Sequence, residues 1–354
     1  MKDFAAGGLP LLIGSLPMDD HAEATKLVLK YTPDIPLWVQ LPSFKEEGMI
    51  SQFMGGMPGF MDDPQKNMLD TSRPGFDQEM IDYFESYLHM SASGGDLTSS
   101  RFALSGNRGK GFFEFLKQID ESPLTFKALK GQVTGPVTFG TAVKDKQNKD
   151  IFYNDQLRDA AIKMLALNAK WQASEFTKRG AVPIIFIDEP ALAGIGTSAY
   201  MTITKEDVTG SIDEIAMEIH AQDGLAGVHV CANTQWDMLL NSSIDVISFD
   251  AFSYFDRFIL FPDDIHHFLK SGKFLAWGII PTTRADLVAS QTVESLAGLL
   301  NNQMEELSEK IRIDKDTIIR QTFITPSCGA GSIDLASAKK VLALTKSVSA
   351  AIRN

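Results

Sequence analysis

Two short apolar runs end in residues that can hold a soft metal ion. Gly227-Val228-His229-Val230-Cys231 sets an imidazole and a thiol two positions apart, and Phe323-Ile324-Thr325-Pro326-Ser327-Cys328-Gly329 brings a second thiol. Side chains two apart on an extended strand share a face, so His229 and Cys231 point the same way. Zinc accepts nitrogen and thiolate donors in a tetrahedral array, and these are the only 2 cysteines of the chain. A lone His-x-Cys in a strand is ordinarily buried packing; the second cysteine and the carboxylates nearby turn the reading toward a metal. A zinc held by thiolates suits one task in particular, the binding and deprotonation of a substrate thiol, because free thiols with a pKa of roughly 8.5 are mostly protonated at neutral pH. Asp250, which closes Ile244-Asp245-Val246-Ile247-Ser248-Phe249-Asp250, is the expected fourth ligand. Its carboxylate is a weaker donor than thiolate, so a substrate sulfur can displace or join it.

Other polar groups stand in matching places. Asp188-Glu189-Pro190 follows the apolar run Ile184-Ile185-Phe186-Ile187, and adjacent carboxylates there are costly without cations or hydrogen-bond donors. Asp188 and Glu189 are expected to receive a substrate ammonium, with a neighbouring lysine or arginine as the alternative partner of Glu189. Ile13-Gly14-Ser15 offers backbone N–H groups and a hydroxyl, with no side chain at Gly14 to obstruct a carboxylate. Thiol, ammonium and carboxylate recognised at three points describe a thiol amino acid.

These groups need a scaffold that gathers strand ends. Eight apolar runs recur, each followed by helical periodicity: Leu9–Ser15, Ile35–Leu41, Ala128–Thr134, Pro183–Asp188, Ala226–Cys231, Ile244–Asp250, Phe274–Ile279 and Gln321–Thr325. Helices are expected over Asp155–Arg179, Ser211–His220, Val293–Leu307 and Leu335–Ile352, with Gly180 closing the first. Strand–helix units in this number predict an α/β fold, a (β/α)8 TIM barrel forming one catalytic domain over residues 1–354. An open doubly wound sheet is the alternative, and no Gly-x-Gly-x-x-Gly turn supports a dinucleotide version of it. A barrel places its chemistry at the C-terminal ends of its strands. Ser15, Gln40, Thr134, Asp188, Glu189, His229, Cys231, Asp250 and Cys328 all fall there.

Residues 44–76 are an insertion after the second run, rich in Met and Gly around Phe53-Met54-Gly55-Gly56-Met57-Pro58-Gly59-Phe60-Met61. Flexible, polarizable methionine suits a surface that adapts to a large apolar partner. A lid or docking patch at the barrel mouth is expected, a disordered loop being the plain alternative. The net charge of −12 argues against nonspecific nucleic-acid binding. Leu9–Ile13, broken by Pro10 and Gly14, is too short to span a membrane. Two distant cysteines without a secretory signal point to the reducing cytoplasm.

As a set the motifs resemble the catalytic C-terminal barrel of cobalamin-independent methionine synthase, in the superfamily shared with uroporphyrinogen decarboxylase and corrinoid-linked thiol methyltransferases. Ile13-Gly14-Ser15-Leu16-Pro17, Gly131-Gln132-Val133-Thr134-Gly135-Pro136-Val137-Thr138, Ile187-Asp188-Glu189-Pro190-Ala191-Leu192, His229-Val230-Cys231, Asp245-Val246-Ile247-Ser248-Phe249-Asp250 and Pro326-Ser327-Cys328-Gly329 carry the likeness. The resemblance implies that His229, Cys231 and Cys328 are zinc ligands, that Asp188 binds the homocysteine amino group, and that Ser15 with the Gly14 backbone binds its carboxylate. Three departures stand out. Asp250 occupies the place of the family's glutamate ligand; a preceding barrel that helps bind the folate donor in the full-length enzyme has no counterpart; and Ile279-Ile280-Pro281-Thr282 replaces a histidine associated with protonating folate.

Together these departures lead to the expectation of a short methionine synthase that methylates homocysteine from a methylated corrinoid such as methylcobalamin, delivered by a corrinoid protein that meets the Met/Gly-rich insertion. The alternatives are a methyltransferase with another thiol acceptor such as coenzyme M, a porphyrinogen decarboxylase, and a zinc-, thiol- or corrinoid-binding protein without turnover.

Overall fold

Six of the eight apolar runs form strands in the computed structural model of the chain, which describes residues 4–63, 66–93 and 95–353. They are β1 (Ala128–Thr134), β2 (Val182–Asp188), β3 (Leu225–Val230), β4 (Val246–Phe249), β5 (Phe274–Ile280) and β6 (Thr322–Pro326). All pairs are parallel and the strands follow one another in chain order. Parallel strands covered on both faces read as continuous apolar runs. Ile184, Ile185, Phe186 and Ile187 of β2 are accordingly fully buried, each contributing about 1.5–3 kcal/mol. One apolar cluster lies on the face lined by Leu11, Ile184, Phe186, Val246 and Phe323. A larger one packs the opposite face against the helices.

The expected strands at Leu9–Ser15 and Ile35–Leu41 are a correction: neither is a regular strand. Pro10 and Pro36 have no N–H to give a ladder, and Gly14 turns the chain at φ +29°. The segments make isolated bridges instead. Leu11 N–H donates to Ile324 O at 2.9 Å, Lys130 N–H to Pro36 O at 2.9 Å, and Gln40 N–H to Gly14 O at 3.1 Å. The first segment thus abuts β6, the second abuts β1, and the two meet each other.

Helix boundaries follow their caps. Asn154 accepts from Leu157 N at 3.1 Å to start Asp155–Thr177, and Gly180, at φ +72°, lets the chain leave it. Helix Lys205–His220 starts a turn and a half before the expected Ser211, because Thr204 and Asp207 form a reciprocal capping box. Val293–Ile311 and Leu335–Arg353 appear where periodicity placed them.

Segment 44–76 is not a free flap over its described length. Lys45–Glu47 and Ser51–Phe53 are 3₁₀ turns, and Phe53, Met54 and Met57 are only 1 % exposed. Met54 and Met57, expected on a docking surface, belong to the core; Met49 is outward at 40 %. Gly56 makes this possible, since a Cβ there would lie 2.1 Å from the Arg101 carbonyl oxygen. Pro64 and Gln65 lie outside the described residues. Among the described residues no helix is long and apolar enough to cross a membrane.

At the opposite end of the sheet from the cysteines, Asp245 ties β3 to β4. Its Oδ2 accepts from Ala226 N at 2.8 Å and lies 2.7 Å from His220 Nε2. The hydrogen bond to Asp245 raises the His220 pKa above its ordinary 6.5. A raised histidine pKa stabilises the fold fully below about 6.5, and that contribution is lost as pH rises through the folded value. In thermal melts the wild-type advantage over His220→Gln, about 2 °C for a half-exposed pair, should shrink steadily from pH ~6 to pH ~9.

Candidate active site

Parallel register lines up the polar groups. Thr134 pairs with Asp188, Asp188 with His229, and His229 with Ser248. Four successive strands therefore present one row of polar residues near their C-terminal ends. Period two then puts Cys231 one step beyond His229 on the same face.

The ligand atoms of His229, Cys231 and Cys328 all lie within 4.8 Å of one another. A tetrahedral zinc with N and S donors would separate them by roughly 3.6 Å, so little closure is needed. Burial pushes the His229 imidazole down to about 3, with Lys130 adding to the effect, and so keeps it neutral. Its Nδ1 is 2.9 Å from Ser248 Oγ. Its Nε2 is buried with no hydrogen-bond partner. With Nδ1–H donated to Ser248, Nε2 is left as a lone-pair donor, the arrangement of a metal-binding histidine fixed through its other nitrogen. The close approach of the two thiols draws Cys231 down to about 7 and pushes Cys328 up. One thiolate forms easily, and the second needs a cation to offset its charge. An orphaned buried nitrogen within 4.8 Å of two thiols fits a zinc ion.

Asp250 does not join this cluster. It is the N-cap of helix Ala251–Phe258, where its Oδ1 accepts from Ser253 N at 2.9 Å, and burial raises its pKa. The capping bond takes one carboxylate oxygen and turns the side chain toward the helix. Gly278 brings the strand ends this close: a Cβ there would lie 2.5 Å from Phe249 O and 2.9 Å from Ser327 Cα.

The two adjacent carboxylates have different fates. Glu189 is fully buried, its carboxylate turned to a helix N-terminus. It accepts from Val137 N at 2.8 Å, Thr138 N at 2.9 Å and Thr138 Oγ1 at 2.6 Å, closing the N-terminus of helix Pro136–Ala142. Among the described residues no lysine or arginine pairs with it, and burial still lifts it to about 7. Gly135 leaves room for it, since a Cβ there would collide with Glu189 Cγ at 2.1 Å. Asp188, by contrast, keeps Oδ1 without a partner, and burial pushes its pKa up to about 6 against the pull of Lys130.

Ser15 is brought beside the Cys328 loop. Its carbonyl accepts from Ala330 N at 2.9 Å and its Oγ from Gly331 N at 3.3 Å. Cβ atoms at Gly329 or Gly331 would lie 2.5 and 2.6 Å from that Oγ. Ile13, Gly14 and Ser15 thus adjoin the loop of one thiol.

Sequence reading missed three contributors. Ser248 orients His229; Lys130 lies below the polar row; and Arg108, 5 % exposed, braces the segment after the second run. Arg108 donates Nε to Ser51 O at 3.0 Å and Nη2 to Asp62 Oδ1 at 2.7 Å, while its carbonyl receives Gln52 Nε2 at 2.7 Å. Gln52 Oε1 accepts from Gln40 Nε2 at 2.6 Å, linking Arg108 to the neighbourhood of Gly14. Strand alternation was the available signal for Ser248 and Lys130. For Arg108 there was none, because its side-chain contacts are distant in sequence.

Residues 112–352 match the profile of the cobalamin-independent synthase catalytic domain, and the chain belongs to that family. Among solved structures it is similar to a B12-independent methionine synthase from Shewanella sp. W3-18-1 in complex with selenomethionine, at 17% identity and a TM-score of 0.48. The match covers 68% of this chain and 66% of that one, so the chain spans just under two thirds of that relative. No curated protein matches the chain.

Proposed function

We propose that this protein transfers a methyl group to the sulfur of homocysteine, with zinc held by His229, Cys231 and Cys328. The unpartnered Nε2 of His229, within 4.8 Å of two thiols, carries the reading. Zinc, when bound, supplies the Lewis acidity that lowers the pKa of the substrate thiol from roughly 8.5. Ser248 holds the imidazole so that Nε2 faces the ion. Asp188 receives the ammonium, and the 13–15 turn beside the Cys328 loop receives the carboxylate. With Asp250 engaged by its helix, a zinc held by these three residues would leave room for the substrate sulfur.

In this reading the two bridging segments stand as the first and second members of an eight-membered ring with β1–β6, and the thiols imply a reducing compartment. The family's description as cobalamin-independent removes support for the methylated corrinoid and corrinoid-protein partner expected from sequence. It favours a methylated folate as donor.

Metal analysis with zinc-edge X-ray absorption tests the acceptor. One zinc per chain should gain a sulfur neighbour at about 2.3 Å when L-homocysteine is added. A zinc shell indifferent to homocysteine would refute the reading. Parallel assays with methyltetrahydrofolate and methylcobalamin then decide the donor, turnover with the first alone being expected.

A further inference from the structure

Lys130 has no place in the chemistry above, yet few residues in the molecule are as costly to keep. It sits in the middle of β1, wholly buried, with Nζ 4.2 Å over the ring of Phe186 and without a hydrogen-bond partner. A buried lysine ammonium is expensive unless an anion or a π face offsets it. The Phe186 ring offsets part of the cost. The remaining counter-charge is Asp188, two residues further along the strand that carries Phe186. Asp188 is only 6 % exposed, and its Oδ1 is equally without a partner.

We propose that Lys130 is a positioning residue of the substrate site: its buried ammonium, over Phe186 on the strand that carries Asp188 and not in ion-pair contact with it, attracts the partnerless Oδ1 and so favours the orientation that presents the other carboxylate oxygen to the amine of the incoming thiol amino acid. The inference rests on the homocysteine reading and deepens it. Each of the two groups is the charge that opposes burial of the other: Lys130 falls to about 8 and Asp188 rises to about 6, each held back by its partner. Their attraction acts across a dry interior, where little solvent screens it. A carboxylate free to rotate would spend part of its affinity for the substrate amine on being ordered. One already aimed by a fixed cation does not. Two further orphaned buried oxygens, Gln132 Oε1 and Thr325 Oγ1, belong to residues on the same face of β1 and β6, so the charges lie in a polar floor beneath the cysteines.

A double-mutant cycle on the zinc-loaded full chain tests this. Lys130→Met should weaken homocysteine binding about tenfold by calorimetry while leaving its deamino analogue, mercaptobutyrate, and the zinc content unchanged. Asp188→Asn and the double variant should bind homocysteine equally weakly, because Lys130 acts only through Asp188. Thermal melts add a readout free of substrate: Lys130→Met should lower Tm by stranding Asp188, and adding Asp188→Asn should restore it. Should Lys130→Met fold poorly, comparison of Asp188→Asn with the double variant still decides the matter. Equal weakening of both thiols, or additive effects in the cycle, would overturn the role of Lys130 alone. Homocysteine binding by no form, wild type included, would overturn the functional reading along with it.

Discussion

Cys231→Ala protein should emerge from purification with little zinc and should methylate homocysteine more than 100-fold more slowly than wild type. Loss of an outer partner of a metal ligand costs roughly 10- to 100-fold in metal affinity or activity, and loss of a direct thiolate ligand must exceed that. Without it His229 and Cys328 are left; the Cys328 pKa is raised first by the Cys231 thiol and then by burial, and in the variant burial alone still opposes its thiolate. Substrate thiol would then titrate near its free value, roughly 8.5, and little of it would react at neutral pH. Ser248→Ala is the informative companion. It removes the hydrogen bond to Nδ1 at 2.9 Å without touching a ligand, so its zinc loss should be intermediate. Metal content by elemental analysis and initial rates at fixed zinc check the order wild type, Ser248→Ala, Cys231→Ala. A Cys231→Ala enzyme that keeps its zinc and its rate would remove that thiol from the site. Cys231 lies just past the end of β3 and is only partly buried, so melting should shift far less than activity.

The strands that carry the site were legible because parallel, doubly covered strands need long apolar runs, and Ile184–Ile187 can be little else. His229 and Cys231 were legible for the companion reason that period two forces them onto one face. The same rule could have found Lys130 and Ser248. Ala128, Lys130, Gln132 and Thr134 alternate with Leu129, Gly131 and Val133, which marks a polar face on an otherwise apolar strand. Ser248 alternates with Val246 and Asp250 on the face shared with His229. Reading strands only at their ends passed over these interior positions.

The fate of Glu189 was not legible. A carboxylate one residue past a strand end serves a substrate or a helix terminus equally well on paper. What decides is Gly135, whose missing side chain admits Glu189 to the N–H groups of Val137 and Thr138. Asp250 shows the same limit, since an acid followed three residues later by Ser253 is as good an N-cap as a ligand. The first two segments misled for a further reason. Hydropathy gave them strand character, but Pro10, Pro36 and the turn at Gly14 reduce their pairing to isolated bridges.

On the proposed function, Asp188→Asn should leave the protein nearly blind to the amino group of homocysteine. Asparagine keeps the shape of the side chain and removes its charge, so the variant should fold and hold zinc. A hydrogen bond to a charged group contributes about 1.5–3 kcal/mol, which corresponds to roughly 10- to 150-fold in affinity. The homocysteine Kd and KM should rise by that factor, and those of mercaptobutyrate should not move. Glu189→Gln provides the contrast: Glu189 faces the helix Pro136–Ala142 rather than substrate, so its substitution should lower Tm and treat both thiols alike. The pair of results separates the adjacent acids by function, one reading the substrate amine and the other holding the wall behind it. Unchanged discrimination in Asp188→Asn would move the ammonium site elsewhere and leave its unpartnered buried oxygen without a ligand.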